Sequence, residues 1–127
     1  MSKEIITSTE SAAPIGPYSQ AVKAGNTLYV SGQIPADPKT GELVQGTVAE
    51  EARQSLKNLE AILKAAEYGF EDVVKATIYL RSMDDFAAVN EVYGQFVGDQ
   101  PPARETVAVA GLPKNVRVEI SVIAWKA

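Results

Sequence analysis

Hydrophobic positions along the chain change period several times, and each change marks a structural element. Residues 3–7 and 18–24 read as extended, and Gly25-Asn26 turns the chain into Thr27–Ser31, where Leu28 and Val30 alternate with Tyr29 and Ser31. This is a hairpin pattern, closed by the polar loop Asp37-Pro38-Lys39-Thr40-Gly41. Thr47 and Glu50 then have the spacing of a capping box, in which hydroxyl and carboxylate satisfy the free amides of a helix start. Ala52, Leu56, Leu59, Leu63 and Ala66 follow at steps of four and three, the period of one helix face, and Gly69 offers a left-handed stop. From Val74 to Leu80 the period is two, with Val74, Ala76, Ile78 and Leu80 on one side. Asp84 or Ser82 caps a second helix with the stripe Phe86, Val89, Tyr93 and Phe96, ended by Gly98 and Pro101-Pro102. Strands over Glu105–Val109 and Val116–Trp125 complete the chain.

The predicted order is β-β-β-α-β-α-β-β, an α+β single domain over residues 1–127 with a mixed sheet and two helices on one face. On the last strand Val116, Val118, Ile120, Val122 and Ala124 face the helices. The opposite parity holds Arg117, Glu119, Ser121, Ile123 and Trp125, and Tyr29, Tyr79, Val107 and Val109 extend that second face. A surface so apolar calls for a partner, and a second copy of the chain is the expected one.

Composition narrows the chemistry. The chain has neither cysteine nor histidine, which removes thiolate nucleophiles, imidazole bases, disulfides and the usual zinc sites together. No glycine-rich phosphate loop or dinucleotide fingerprint is present, so no cofactor is expected. A net charge of −4 and an acidic pI near 4.8 argue against a nucleic-acid partner, whose affinity comes from basic side chains on phosphates. No apolar run approaches the roughly 20 residues of a membrane span. Met1-Ser2-Lys3-Glu4 leads into Ile5-Ile6-Thr7 without an apolar signal core, and a cytoplasmic address is the expectation.

What remains for chemistry is guanidinium, carboxylate, hydroxyl, backbone and water. Arg104 follows Pro101-Pro102-Ala103, where two prolines stiffen the backbone ahead of a guanidinium whose paired donors match a carboxylate; the plainer role is a solvated surface charge. Glu119 interrupts a strand of Val and Ile, a costly place for a carboxylate. It either handles a proton or water, or pairs with Arg117 or Lys75. Asn90 lies between Phe86 and Tyr93 on the second helix, where it bonds a loop or lines a site. Tyr18, Ser31 and Gly32 sit where loops meet strands, and a glycine there lets a ligand approach closely.

Pro14-Ile15-Gly16-Pro17-Tyr18-Ser19-Gln20, Ser31-Gly32-Gln33-Ile34-Pro35, Asp37-Pro38-Lys39-Thr40-Gly41 and Pro102-Ala103-Arg104 together resemble the RidA/YjgF family of reactive-intermediate deaminases. Gln54–Leu59, Val89–Tyr93, Leu112-Pro113 and Val118–Ile120 extend the resemblance nearly end to end. It implies a chorismate-mutase-like fold in a homotrimer with sites in the clefts between subunits. It further implies hydrolysis of 2-imino and enamine acids such as 2-aminoacrylate and 2-iminobutanoate to 2-keto acids and ammonia. Arg104 would bind the carboxylate, Glu119 would handle the water, and Tyr18, Ser31, Gly32, Asn90 and the backbone at Thr106 would line the cleft. Two departures stand out: Thr106 replaces a cysteine found in many members, which removes any thiol role, and Glu67-Tyr68-Gly69 replaces a small glycine near 67.

Two other functional classes compete. A non-catalytic module that binds 2-keto acids for regulation would need the same arginine, although Glu119 favours an enzyme. A ribonuclease or translation inhibitor is a third reading; the acidic pI and the lack of histidine or a basic aromatic strip weigh against it.

Overall fold

The computed structural model describes residues 2–127. Its elements are β1 (Glu4–Ile6), β2 (Ala21–Ala24), β3 (Thr27–Gln33), α1 (Val48–Ala65), β4 (Val73–Leu80), α2 (Phe86–Val97), β5 (Ala103–Ala108) and β6 (Val118–Trp125). The strands form one six-stranded sheet in the order β1-β2-β3-β6-β4-β5. Among the described residues only β4 and β5 run parallel, and α2 supplies the crossover that such a pair needs; the other pairs are antiparallel.

The core lies between the helices and one sheet face. From α1, Leu56, Leu59, Ile62 and Leu63 are fully enclosed against Leu28, Ala76, Ile78, Ile120 and Val122 of the strands. Each such side chain contributes roughly 1.5–3 kcal/mol. Tyr29, Val107 and Trp125 are exposed on the opposite face, as the strand parity predicts, at 51%, 40% and 50%. That face therefore has its apolar groups in place, and none of the described residues covers them.

Local signals place most ends correctly. Gly25, at φ 60°, and Asn26 close the β2–β3 hairpin as a two-residue turn. Thr47 accepts from the Glu50 amide while Glu50 reaches back to the Thr47 amide, so the capping box forms at the start of α1. The end of α1 differs from expectation. Glu67, at φ 64°, takes the left-handed position, with Tyr68 N–H donating to Leu63 O at 2.8 Å and Glu67 N–H to Lys64 O at 2.9 Å. Gly69 is extended, at φ −135°. This is a Schellman closure, with Tyr68 and Leu63 both buried in the core.

Several strand limits also shift. β1 and β2 are shorter than 3–7 and 18–24, because residues 8–20 are held by side chains instead: Gln20 accepts from Ser8 N at 2.6 Å and donates to Ala12 O at 2.9 Å. Ser82 caps a separate turn over Met83–Asp85, and α2 begins only at Phe86. β5 starts at Ala103, because its parallel pairing with Lys75 begins there, so Arg104 lies within the strand and not ahead of it. β6 starts at Val118, after Lys114 and Asn115 adopt φ 54° and 57°.

Two bulges reset strand parity. Between Val73 and Lys75 the register with β6 shifts, which buries Val73 and leaves Val74, expected in the core, 50% exposed. Between Val30 and Gln33 a second shift places one extra residue of β3 against β6, at Ser31-Gly32.

Candidate functional site

The Ser31-Gly32 bulge lies beside Glu119, and the close fit there requires glycine. A Cβ at position 32 would stand 2.8 Å from Glu119 Cδ. Ser31 is fixed by its hydroxyl, which donates to Ser19 O at 2.6 Å, and by its amide, which donates to Gln20 O at 2.9 Å. Tyr18 folds back so that its hydroxyl accepts from Ile15 N at 3.3 Å. These residues, with Ile34 and Pro113, enclose a cavity of about 330 Å³ that Glu119 enters from the sheet.

Glu119 has no cation beside it among the described residues. Lys75 pairs with Glu105 at 3.1 Å, and Arg117 pairs with the buried Glu51 of α1, so both cations expected as its structural partners are engaged elsewhere. No other ion pair forms among the described residues. Half-burial without a neighbouring cation raises the pKa of Glu119 above the ordinary glutamate range.

Arg104 is held in a second cavity, of about 480 Å³, with Asn90, Tyr93, Gly94, Pro101 and Pro102. Its Nη1 donates to Asn90 Oδ1 at 2.7 Å. Its guanidinium carbon lies 5.1 Å from the Tyr93 ring centre and 5.8 Å from that of Phe86. Asn90 therefore serves the arginine, not a loop. Thr106, two residues on, faces the same side, and its hydroxyl is enclosed without a hydrogen-bond partner among the described residues. A cysteine at this position would tolerate that enclosure better, because a thiol loses less on desolvation.

The two cavities lie on opposite faces of the sheet. Arg104 and Thr106 pair with Ala76 and Ile78, the core-facing residues of β4, whereas Glu119 pairs with Tyr79 of the opposite parity. Tyr18, Ser31, Gly32 and Glu119 thus come together, and so do Asn90, Arg104 and Thr106, but one chain does not unite the two groups.

A family model described as Endoribonuclease L-PSP matches residues 8–126. The chain belongs to this family. A RutC family protein of Pyrococcus horikoshii is 54% identical over 98% of both chains. A mouse protein named 2-iminobutanoate/2-iminopropanoate deaminase is 51% identical over 96% of this chain and 90% of its own. The E. coli YjgF gene product superposes with a TM-score of 0.92 at 45% identity, over 98% of this chain and 99% of that one. The RidA/YjgF resemblance carried by the motifs is therefore membership, and the α+β fold is the family's.

In this L-PSP family chain, periodicity alone underrates Phe86 and Tyr93, which read as core stripe. Their offsets of four and three residues from Asn90 place all three on one line of α2, beside Arg104. Ile15, Ile34 and Pro113 stand in the sequence only as members of longer motifs, and their place around the Glu119 cavity follows from how the loops fold.

Gly32→Ala tests the fit at Glu119. The nearest clashing atoms belong to a flexible carboxylate, so the variant folds but displaces Glu119. A part for Glu119 in the chemistry makes turnover fall about tenfold or more, since small misplacements of a reacting group are costly. Unchanged turnover in the folded variant would remove Glu119 from the chemistry.

Proposed function

We propose that this protein hydrolyses 2-imino acids and their enamine tautomers, such as 2-iminobutanoate and 2-aminoacrylate, to 2-keto acids and ammonia. The observation that carries this reading is Glu119, a half-buried carboxylate with no cation beside it, raised in pKa and opening into a largely apolar cavity. The deaminase names of relatives about 50% identical over nearly the whole chain support the same chemistry.

In the reaction, Arg104 grips the substrate carboxylate and orients the C=N carbon. Water adds to that carbon as Glu119 accepts its proton. Glu119 then returns the proton to the nitrogen, which gives a carbinolamine; the carbinolamine's hydroxyl proton passes by way of Glu119 to the amine, the C–N bond breaks, and ammonia leaves as the carbonyl forms. Tyr18, Ser31 and Gly32 surround the attacking water, while Asn90 and the Thr106 backbone shape the carboxylate end. Because imines of this kind hydrolyse unaided, orientation and one proton shuttle are sufficient acceleration.

Arg104 and Glu119 occupy opposite sheet faces, so the working site assembles from two copies of the chain. We place it in the cleft of a homotrimer whose apolar sheet faces, with Tyr29, Val107 and Trp125, pack inside. The reading makes residues 1–127 one domain acting in the cytoplasm on small acids. Among the described residues, no helix is long and apolar enough to cross a membrane.

Mixing impaired variants tests the shared site. Arg104→Ala and Glu119→Gln, each with about a hundredth of the activity or less when alone, are unfolded, combined in equal amounts and refolded together. If one site draws Arg104 and Glu119 from different copies, about a quarter of the sites regain both, and keto-acid release returns to about that fraction of the unmodified rate. No recovery in properly reassembled mixtures places both groups on one copy and defeats the shared-site arrangement.

A further inference from the structure

We infer that Phe86 and Tyr93 are positioning residues that set the orientation of Arg104 and present its Nε–Nη2 edge to the substrate carboxylate. The inference rests on the assignment of Arg104 to carboxylate binding and deepens it.

An arginine side chain has several rotatable bonds and, free in water, spreads its guanidinium over many directions. Here three groups on one line of α2 restrict it. Phe86, Asn90 and Tyr93 are separated by four and three residues, so they rise along a single helix face toward β5. The two rings approach the guanidinium carbon at 5.8 and 5.1 Å, within the range where a ring attracts a cation. Between them, Asn90 Oδ1 accepts from Nη1 at 2.7 Å. With Nη1 engaged, Nε and Nη2 remain without a protein acceptor among the described residues. These two nitrogens form the side-on edge of the guanidinium, whose parallel N–H bonds suit a carboxylate.

Tyr93 acts through its ring. Its side chain is buried and its hydroxyl has no hydrogen-bond partner among the described residues, so it is the ring, and not a hydrogen bond from the oxygen, that meets Arg104. Removing the oxygen alone should leave orientation intact and relieve an unsatisfied polar group. Removing the ring should not.

The test compares Tyr93→Leu, Phe86→Leu, Tyr93→Phe and Arg104→Ala, using KM and kcat for 2-iminobutanoate and calorimetric binding of 2-oxobutanoate. A carboxylate contact present in both ground and transition states appears in KM, not in kcat. Each leucine variant is expected to raise KM and the keto-acid Kd about tenfold, equivalent to about 1.4 kcal/mol, with kcat held within about twofold. Tyr93→Phe is expected to match the unmodified protein. If Tyr93→Leu fails to fold, Phe86→Leu, a less buried position, decides alone. Leucine variants that fold and bind normally while Arg104→Ala loses binding would overturn the positioning role and leave the deaminase reading intact. Tyr93→Phe with the same tenfold loss would overturn the ring in favour of the hydroxyl. Normal binding by Arg104→Ala would dismiss the carboxylate assignment itself, and this inference with it.

Discussion

Arg104→Ala is expected to lower kcat/KM for 2-iminobutanoate about a hundredfold or more while the protein stays folded. The loss is large because a charge-assisted pair with a planar carboxylate supplies both affinity and direction, and truncating one partner of such a pair costs about 2–5 kcal/mol. Folding is spared because Arg104 stands at the sheet edge. Its partner Asn90 is exposed and turns to water once the guanidinium is gone. Arg104→Lys keeps the charge but loses the paired donors, and recovers only part of the rate. The measurement generates the imine from an amino acid with a second enzyme and compares keto-acid release with no added protein, the unmodified protein and each variant. Equal acceleration by the unmodified and Arg104→Ala proteins would sink the carboxylate role. If neither exceeds the spontaneous rate while 2-oxobutanoate still binds, the chain is a metabolite-binding module.

Arg104 and Glu119 also mark the limit of what the sequence discloses. Elements governed by local rules are legible: the Thr47–Glu50 capping box, the apolar face of α1, the Gly25-Asn26 hairpin and the order of strands and helices all appear in the fold. The misplaced features depend on pairing between distant segments. The bulge at Val73–Lys75 moves Val74 out of the core, and nothing within Val74–Leu80 signals it, because the register is set by Ile123 and Ala124 of β6, far along the chain. The helix stop falls on Glu67 instead of Gly69, because tertiary burial of Tyr68 outweighs the backbone freedom of glycine.

The site shows the same division. Each candidate side chain is recognisable as unusual in its local pattern: a carboxylate among Val and Ile, an arginine behind two prolines, a glycine at a strand end. Their grouping is not local. Arg104 and Glu119 fall on opposite faces because β5 pairs in parallel with β4, which pairs antiparallel with β6, and strand parity is fixed only when those registers are known. Lys75 and Arg117 are equally plausible partners for Glu119 in the sequence. Only the fold commits them to Glu105 and Glu51.

Glu119→Gln is expected to lower kcat about a hundredfold, the usual scale for loss of a positioned proton acceptor, while making the protein more stable at neutral pH. The opposed signs have one cause. Burial raises the folded-state pKa of Glu119 above its unfolded value, so folding favours the protonated carboxyl. That contribution to stability is fully present below the unfolded pKa and is lost as pH rises through the folded pKa. At neutral pH the carboxylate is therefore a net cost that glutamine, of the same shape and uncharged, removes. Urea midpoints should be higher for Glu119→Gln at neutral pH and should converge with the unmodified protein as pH falls below the ordinary glutamate range. Activity should show the complementary titration: kcat/KM of the unmodified protein falls as acid protonates Glu119, and the residual rate of the variant lacks that limb. A variant that loses rate and stability together at neutral pH would make Glu119 a structural carboxylate. Loss of rate with a gain in stability marks a site where folding free energy is given up to keep a proton acceptor ready.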